Sequence, residues 1–162
     1  MPDSSFDVVS QFDRQELVNA IDQTTREIIA RYDLKNSGSD VKLEKDSIQL
    51  ASASEMTLGA VRDLLVQRAA RRNLSTKIFD FQKVEEASKG TVRQTVKLRQ
   101  GIDQDLARTI SKLIRDKAPK VRPAIQGDAV RVSGKNKDDL QAVIKLLRDQ
   151  DYAVPLQFIN YR

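Results

Sequence analysis

Basic residues alternate along one segment whose pattern is typical of a β-strand, Thr91 to Arg99. Its apolar positions share one face: Val92, Val96 and Leu98. Its other face carries three cations interleaved with threonines: Arg93, Lys97 and Arg99. Cationic side chains neutralise phosphates and hydroxyls bond phosphate oxygens, so this row is a candidate phosphate-binding face. An edge strand protected from aggregation by its charges is the alternative interpretation.

A second candidate is the turn Gly134-Lys-Asn-Lys137, which precedes a predicted helix. Unpaired backbone N–H groups, the positive end of the helix dipole and two lysines, Lys135 and Lys137, can together hold a phosphate. The turn is not a P-loop, since Ala129 stands where the first glycine is required and Asn136 where serine or threonine is required. A plain turn that uses Gly134 for its backbone angle is the alternative.

Two further positions join these candidates. The turn Arg99-Gln-Gly101 also leads into a predicted helix, so Gly101 is a similar candidate for phosphate contact. Arg131 alternates with Val130 and Val132, which places it on the polar face of its strand. From there we expect Arg131 to join Lys97 or Lys135 near a ligand.

The distribution of charge also favours an anionic partner. The 162 residues contain 28 basic and 23 acidic side chains, a net charge of +5. Residues 1–81 sum to −2 and residues 82–162 to +7. Such a basic block is typical of proteins that meet anions, although a well-solvated lysine-rich surface has the same composition.

The composition excludes several kinds of chemistry. There is no cysteine and no histidine, so thiolate metal sites, disulfides and catalytic triads built on histidine are impossible. No pair of carboxylates has a spacing that demands acid–base catalysis, and we expect no catalytic residue, metal site or cofactor. No apolar run is long enough to span a membrane and no signal peptide is visible, which predicts a cytoplasmic protein.

The elements that position these residues follow the order β-α-β-β-α-β, written twice. Predicted hairpins lie at 41–51 and 121–133, the second with its turn at Gly127-Asp128, and residues 82–90 suit a linker. Without gaps, an offset of 82 residues aligns the two hairpins and the helices that follow them. The pattern predicts an α+β protein of two ferredoxin-like, RRM-like units with antiparallel sheets and helices on one face. In that order the strand at 91–99 is central, which favours binding over edge protection.

Four segments resemble the YajQ family: Ser5-Phe-Asp-Val-Val-Ser-Gln11, Leu98-Arg-Gln-Gly-Ile102, residues 126–141 and Gln157-Phe-Ile-Asn-Tyr-Arg162. The resemblance covers the whole chain. It implies ferredoxin-like units that exchange first strands, so residues 13–99 would form one unit and residues 1–12 with 100–162 the other. Gln11-Phe12 and Arg14 depart from the family pattern, which puts contacts at that turn in doubt.

The same resemblance implies a nucleotide-binding protein related to RNA-recognition folds, with cyclic-di-GMP receptors among its members and no catalytic activity. The strands at 48–51 and 130–133 lack aromatic residues, and Phe6 is the only aromatic on a predicted first strand. Base stacking of the RRM kind is therefore not expected, and RNA would be held through its phosphates. The sequence predicts a binder of a cyclic dinucleotide or RNA; a protein-interaction adaptor that docks an acidic partner is the alternative.

Overall fold

The computed structural model describes residues 3–162, and the chain divides into two compact units. The N-terminal unit is Phe12–Arg99, and the C-terminal unit joins the residues up to Gln11 with Gln100–Arg162. The first two residues of the segment 1–12 lie outside the described residues. Phe12 packs against the core of the N-terminal unit, so the division falls one residue before the expected boundary. Within residues 3–162, no helix is long and apolar enough to cross a membrane.

Residues 3–162 form four α-helices and nine β-strands. In chain order they are β1 (Ser4–Val9), α1 (Arg14–Ala30), β2 (Asp40–Leu43), β3 (Ser47–Ser52), α2 (Glu55–Arg71), β4 (Phe79–Phe81), β5 (Glu85–Glu86), β6 (Val92–Leu98), α3 (Gln104–Lys117), β7 (Arg122–Gln126), β8 (Ala129–Gly134), α4 (Lys137–Arg148) and β9 (Gln157–Ile159). Short 3₁₀ turns occupy Thr76–Ile78 and Ser88–Gly90.

The N-terminal unit is an antiparallel sheet in the order β2-β3-β6-β4 with α1 and α2 packed on one face. Strand β6 is central, and its alternation is confirmed: Val92 and Val96 are buried while Arg93 and Lys97 are exposed. Gln94 is also buried on the helix side. Its amide accepts a bond from Arg62 Nη1 at 3.1 Å and donates to the carbonyl of Gln82 at 2.7 Å, which satisfies its polar atoms.

The segment predicted as a linker is instead part of the N-terminal sheet. Glu85 and Glu86 form β5, which pairs antiparallel with β6, and the N–H of Gln82 donates to the carbonyl of Thr95 at 2.9 Å. The linker prediction was wrong because the polar composition of residues 82–90 was taken to mean that the segment does not pair with a strand. Glu85 instead lies opposite Arg93 of β6, where a cross-strand pair of opposite charge is favourable.

The C-terminal unit has the sheet order β7-β8-β1-β9, with β1 antiparallel to both neighbours. Its core joins Phe6 and Val8 of β1 to apolar residues of α3 and α4. Asp103 caps α3 by accepting a bond from the Leu106 N–H at 2.8 Å, and Asn136 caps α4 in the same way through the Asp138 N–H at 2.8 Å. The α+β class with antiparallel sheets in two ferredoxin-like units is confirmed.

Close packing explains the glycine at the end of β8. Gly134 does not adopt a left-handed backbone conformation, so the alternative interpretation, a turn that needs glycine for its backbone angle, does not explain this residue. A Cβ atom at this position would lie 3.1 Å from Cγ1 of the buried Val121. Glycine therefore lets the chain from β8 pass close to the start of β7 before α4 begins.

We expect Gly134→Ala to lower the free energy of unfolding by about 1–3 kcal/mol, because the added methyl overpacks the contact with Val121. Gly59→Ala in the interior of α2 is the matched control. There the nearest atom to the added Cβ is Arg62 Nη2 at 3.5 Å, an ordinary contact. The control should raise stability by about 0.5–1 kcal/mol. Urea unfolding of both variants measures these changes. If neither variant is less stable than the wild type, the packing argument is contradicted.

Candidate nucleotide-binding site

The basic row on β6 is largely neutralised within its own unit. Arg93 forms an ion pair with Glu85 at 3.3 Å, and Arg99 forms one with Asp80 at 3.3 Å. Arg99 also donates to the carbonyl of Lys77 at 3.1 Å. Lys97 has no ion pair among the described residues, and the strand register places it opposite Asp80. The two arginines therefore stabilise the sheet and offer little free charge to a ligand, whereas Lys97 keeps a charge that is unpaired within residues 3–162.

The charge asymmetry along the chain also disappears when it is counted by unit. The N-terminal unit carries 16 basic and 13 acidic side chains, and the C-terminal unit 12 and 10. The net charges are therefore +3 and +2. Although the second half of the sequence is basic, the two compact units have nearly equal net charges. Any preference for an anionic ligand therefore depends on local groups of cations.

Arg131 is committed to a carboxylate at the centre of the C-terminal sheet. Asp7 on β1 is only 12% exposed and accepts bonds from Arg131 Nε at 2.9 Å and from Asn160 Nδ2 at 2.8 Å. The Arg131 bonds, with a smaller contribution from Asn160 and Arg162, hold the pKa of Asp7 below its usual value against the opposing effect of burial. Arg131 therefore balances a buried charge, and Lys97, which was expected beside it, belongs to the other unit.

The turn at Gly101 uses its own N–H groups internally. Gly101 has a left-handed backbone at φ 84° and donates to the carbonyl of Ser10 at 2.6 Å. The next N–H, of Ile102, donates to the carbonyl of Asp128 at 3.0 Å, and the carboxylate of Asp128 stands beside Gly101. This geometry favours a structural turn over a phosphate contact.

The turn Gly134–Lys137 between β8 and α4, called here the β8–α4 turn, keeps its cations free. Within residues 3–162, neither Lys135 nor Lys137 forms an ion pair. Lys135 and Gly134 line a cavity of about 410 Å³ together with Lys120. Asp139 also lines it, and so does Arg122, which is paired with Asp3. The unpaired charge of this cavity is therefore partly offset by Asp139.

A second cavity of about 320 Å³ lies on the other side of the same turn. Its lining includes Lys137 and Arg162 as its cations, and no carboxylate side chain among the described residues. Ser4 and Tyr161 contribute hydroxyl groups, and Leu140 contributes apolar surface. Cations, hydroxyls and an aromatic ring together suit a ligand with phosphate, sugar and base parts.

Sequence reasoning missed Tyr161 and Arg162 because their placement depends on a β-bulge. Asp7 lies opposite Ile159, a register that would place Ser5 opposite Tyr161. Ser5 instead pairs with Arg162: the Ser5 N–H donates to the Arg162 carbonyl at 3.2 Å, and the Arg162 N–H donates to the Ser5 carbonyl at 2.9 Å. The continuation of β9 therefore contains one extra residue, Asn160, with a left-handed backbone at φ 58°. One sequence feature did point to an unusual arrangement here. Asp7 is an acidic residue between Phe6 and Val8 in a first strand, and a carboxylate in a central strand needs partners from the neighbouring strands.

The fold and this site define an α+β protein of two ferredoxin-like units with cation-lined cavities on both sides of one strand-to-helix turn. A family model described as nucleotide-binding protein YajQ-like matches residues 4–162. The chain therefore belongs to the YajQ-like family of nucleotide-binding proteins.

Relatives share nearly the full length of the chain. A nucleotide-binding protein of Synechococcus sp. (strain JA-2-3B'a(2-13)) is 60% identical over 158 residues, 98% of this chain and 97% of that protein. One of Nostoc punctiforme is 59% identical with the same coverage. One of Chloroflexus aurantiacus is 56% identical over 162 residues, 99% of this chain and 98% of that protein.

The lowered pKa of Asp7 predicts a pH-dependent contribution to stability. A carboxylate whose pKa is lower in the folded state than the unfolded value of about 3.8 stabilises the fold above that value, and the contribution is lost as the pH falls through the folded pKa. We expect Asp7→Asn to be clearly less stable than the wild type at pH 7. The difference should shrink below about pH 4. Chemical unfolding at pH 7, 5 and 3 measures it, and a constant difference across that range would contradict the assignment.

Proposed function

We propose that the protein is a nucleotide-binding protein that holds phosphate groups at the β8–α4 turn of its C-terminal unit. The ligand is a cyclic dinucleotide, such as cyclic-di-GMP, or RNA, and the role is binding without catalysis. The observation that carries the proposal is that Lys135 and Lys137 have no ion pair among the described residues and line cavities on opposite sides of one turn. The names of the family and of its relatives support a nucleotide as the ligand.

Electrostatics favour this turn over the three predicted arginines, and Lys97, which also has no ion pair among the described residues, lies opposite Asp80 in the strand register. A cation already paired with a carboxylate must give up that partner before it contacts a phosphate, which reduces the net gain. Arg93, Arg99 and Arg131 are paired in this way, whereas Lys135 and Lys137 are not. The dipole of α4 adds to the attraction, although Asn136 already occupies one N–H and Asp138 and Asp139 oppose an anion.

The open sheet faces support phosphate recognition over base stacking. Phe6 is fully buried in the core on the helix side of its sheet, and neither β3 nor β8 carries an aromatic residue. An RRM-type platform needs aromatic rings on the open face of its central strands. The two described sheets lack such rings on these strands, as the sequence predicted.

Isothermal titration with cyclic-di-GMP tests the small-ligand form of the proposal. We expect saturable binding that weakens about tenfold in Lys135→Ala and in Lys137→Ala, because one charge-assisted contact contributes about 1.5 kcal/mol. Lys97→Ala and Lys145→Ala are charge-matched controls, one on β6 and one in the last turn of α4, and each should bind within about twofold of the wild type. A loss in Lys97→Ala alone would place the ligand on the N-terminal unit instead.

The salt dependence of RNA binding tests the other form. Single-stranded RNA held through phosphates should lose affinity steeply with salt, and each lysine removed from the turn should reduce the slope of log K against log salt by about 0.7. Fluorescence anisotropy of a labelled mixed-sequence RNA between 50 and 300 mM salt measures this slope. Absence of binding to both RNA and cyclic-di-GMP would overturn the nucleotide proposal and leave the protein adaptor as the remaining hypothesis.

A further inference from the structure

We propose that the 320 Å³ cavity beside the β8–α4 turn binds a single nucleotide unit, with its base stacked on Tyr161 and its phosphate at Lys137. This inference rests on the proposed function and assigns the parts of the ligand to particular residues. It adds a base contact that the open sheet faces do not provide.

The β-bulge at Asn160 places Tyr161 at the cavity. Along β9, Phe158 packs against the core and Ile159 faces the open side of the sheet. Without an extra residue, Tyr161 would share the open side with Ile159. Because Asn160 is inserted and its amide bonds Asp7 on that side, Tyr161 turns to the helix side, where its ring meets Phe6 at a centroid distance of 6.1 Å.

Tyr161 has the exposure that a stacking platform needs. Its side chain packs against the fully buried Phe6, and yet the residue is 59% exposed. A ring supported by the core and open to solvent can stack any base without ordering a flexible side chain. Stacking of this kind is tolerant of base identity.

The charges around the cavity suit one phosphate group. Lys137 is the cation on the helix side and, among the described residues, no acidic side chain lines the cavity. Arg162 pairs with Ser5 and acts on Asp7, which lies on the open side of the sheet. The neighbouring 410 Å³ cavity has Asp139 in its lining, so an anion there meets a carboxylate. Ser4 shares the helix side of β1 with Phe6, so its hydroxyl is available to bond a sugar or phosphate oxygen.

The volume indicates one nucleotide unit. Ligand pockets in proteins have volumes of about 300–1,000 Å³, and this cavity lies at the lower limit. One base with its sugar and phosphate fills such a space, so a dinucleotide or RNA strand would place one unit inside and the remainder outside. A mononucleotide is therefore a sufficient probe of the cavity.

The experiment compares GMP with ribose 5-phosphate, which has no base, by isothermal titration. Tyr161→Leu retains apolar contact with Phe6 but lacks an aromatic face, and it should weaken GMP about tenfold while leaving ribose 5-phosphate unchanged. Tyr161→Phe retains the aromatic face and should bind GMP at least about fivefold more tightly than Tyr161→Leu. Lys137→Ala should weaken both probes by a similar factor, because both carry the phosphate.

A second variant tests the cavity without altering Tyr161. Gln141 is exposed and lines the cavity, so Gln141→Glu adds a carboxylate beside the phosphate and should weaken both probes at least fivefold. Gln150→Glu, exposed on the same unit and outside both cavities, is the matched control and should have little effect.

Specific results would overturn the inference. Equal weakening of GMP and ribose 5-phosphate by Tyr161→Leu would exclude stacking, and normal GMP binding by Gln141→Glu would place the ligand elsewhere. If cyclic-di-GMP or RNA binding still depends on Lys135 and Lys137 in that case, the proposed function stands and only this cavity assignment fails. If no nucleotide binds the intact protein, both fail together.

Discussion

The carboxylate of Asp7 imposes the constraint on which the C-terminal unit depends. A charge that is nearly buried in a central strand must be matched by partners, because an unmatched one costs several kcal/mol. Arg131 supplies a partner from β8, and Asn160 supplies one from the continuation of β9. The same three residues tie together three strands of the sheet. Because Arg131 and Asn160 both donate to the Asp7 carboxylate, Arg131 is not available to a ligand and Asn160 is held in the bulge.

Pairing also decides which basic residues are available for function. The cations on the β6 face have carboxylates of β4 and β5 as neighbours, so the sheet neutralises most of its own charge. Lysines at the β8–α4 turn have no such neighbours in ion-pair contact among the described residues. A turn extends its side chains beyond the strand register, where no cross-strand partner is provided. The lysines of this turn therefore lie where the regular cross-strand pairing of the sheet ends.

The sequence was sufficient to predict the elements and the alternation within them. The hairpin turn at Gly127-Asp128 and the two faces of β6 both follow from local patterns. The pairing of Arg93 with Glu85 could not be predicted, because it depends on the polar segment folding back against β6. Tyr161 was missed for a similar reason: one inserted residue reverses its face, and alternation alone cannot locate an insertion.

The bulge also explains why a nucleotide site fits the helix side of the sheet better than its open side. The centre of the open side holds Asp7, and an anion there would compete with its carboxylate for Arg131. On the helix side, α4 begins beside the same edge and brings Lys137 next to Tyr161. Had β9 continued without Asn160, Tyr161 would lie on the open side with Asp7, separated from Lys137 by the sheet. One left-handed residue therefore brings an aromatic ring and a cation to the same cavity.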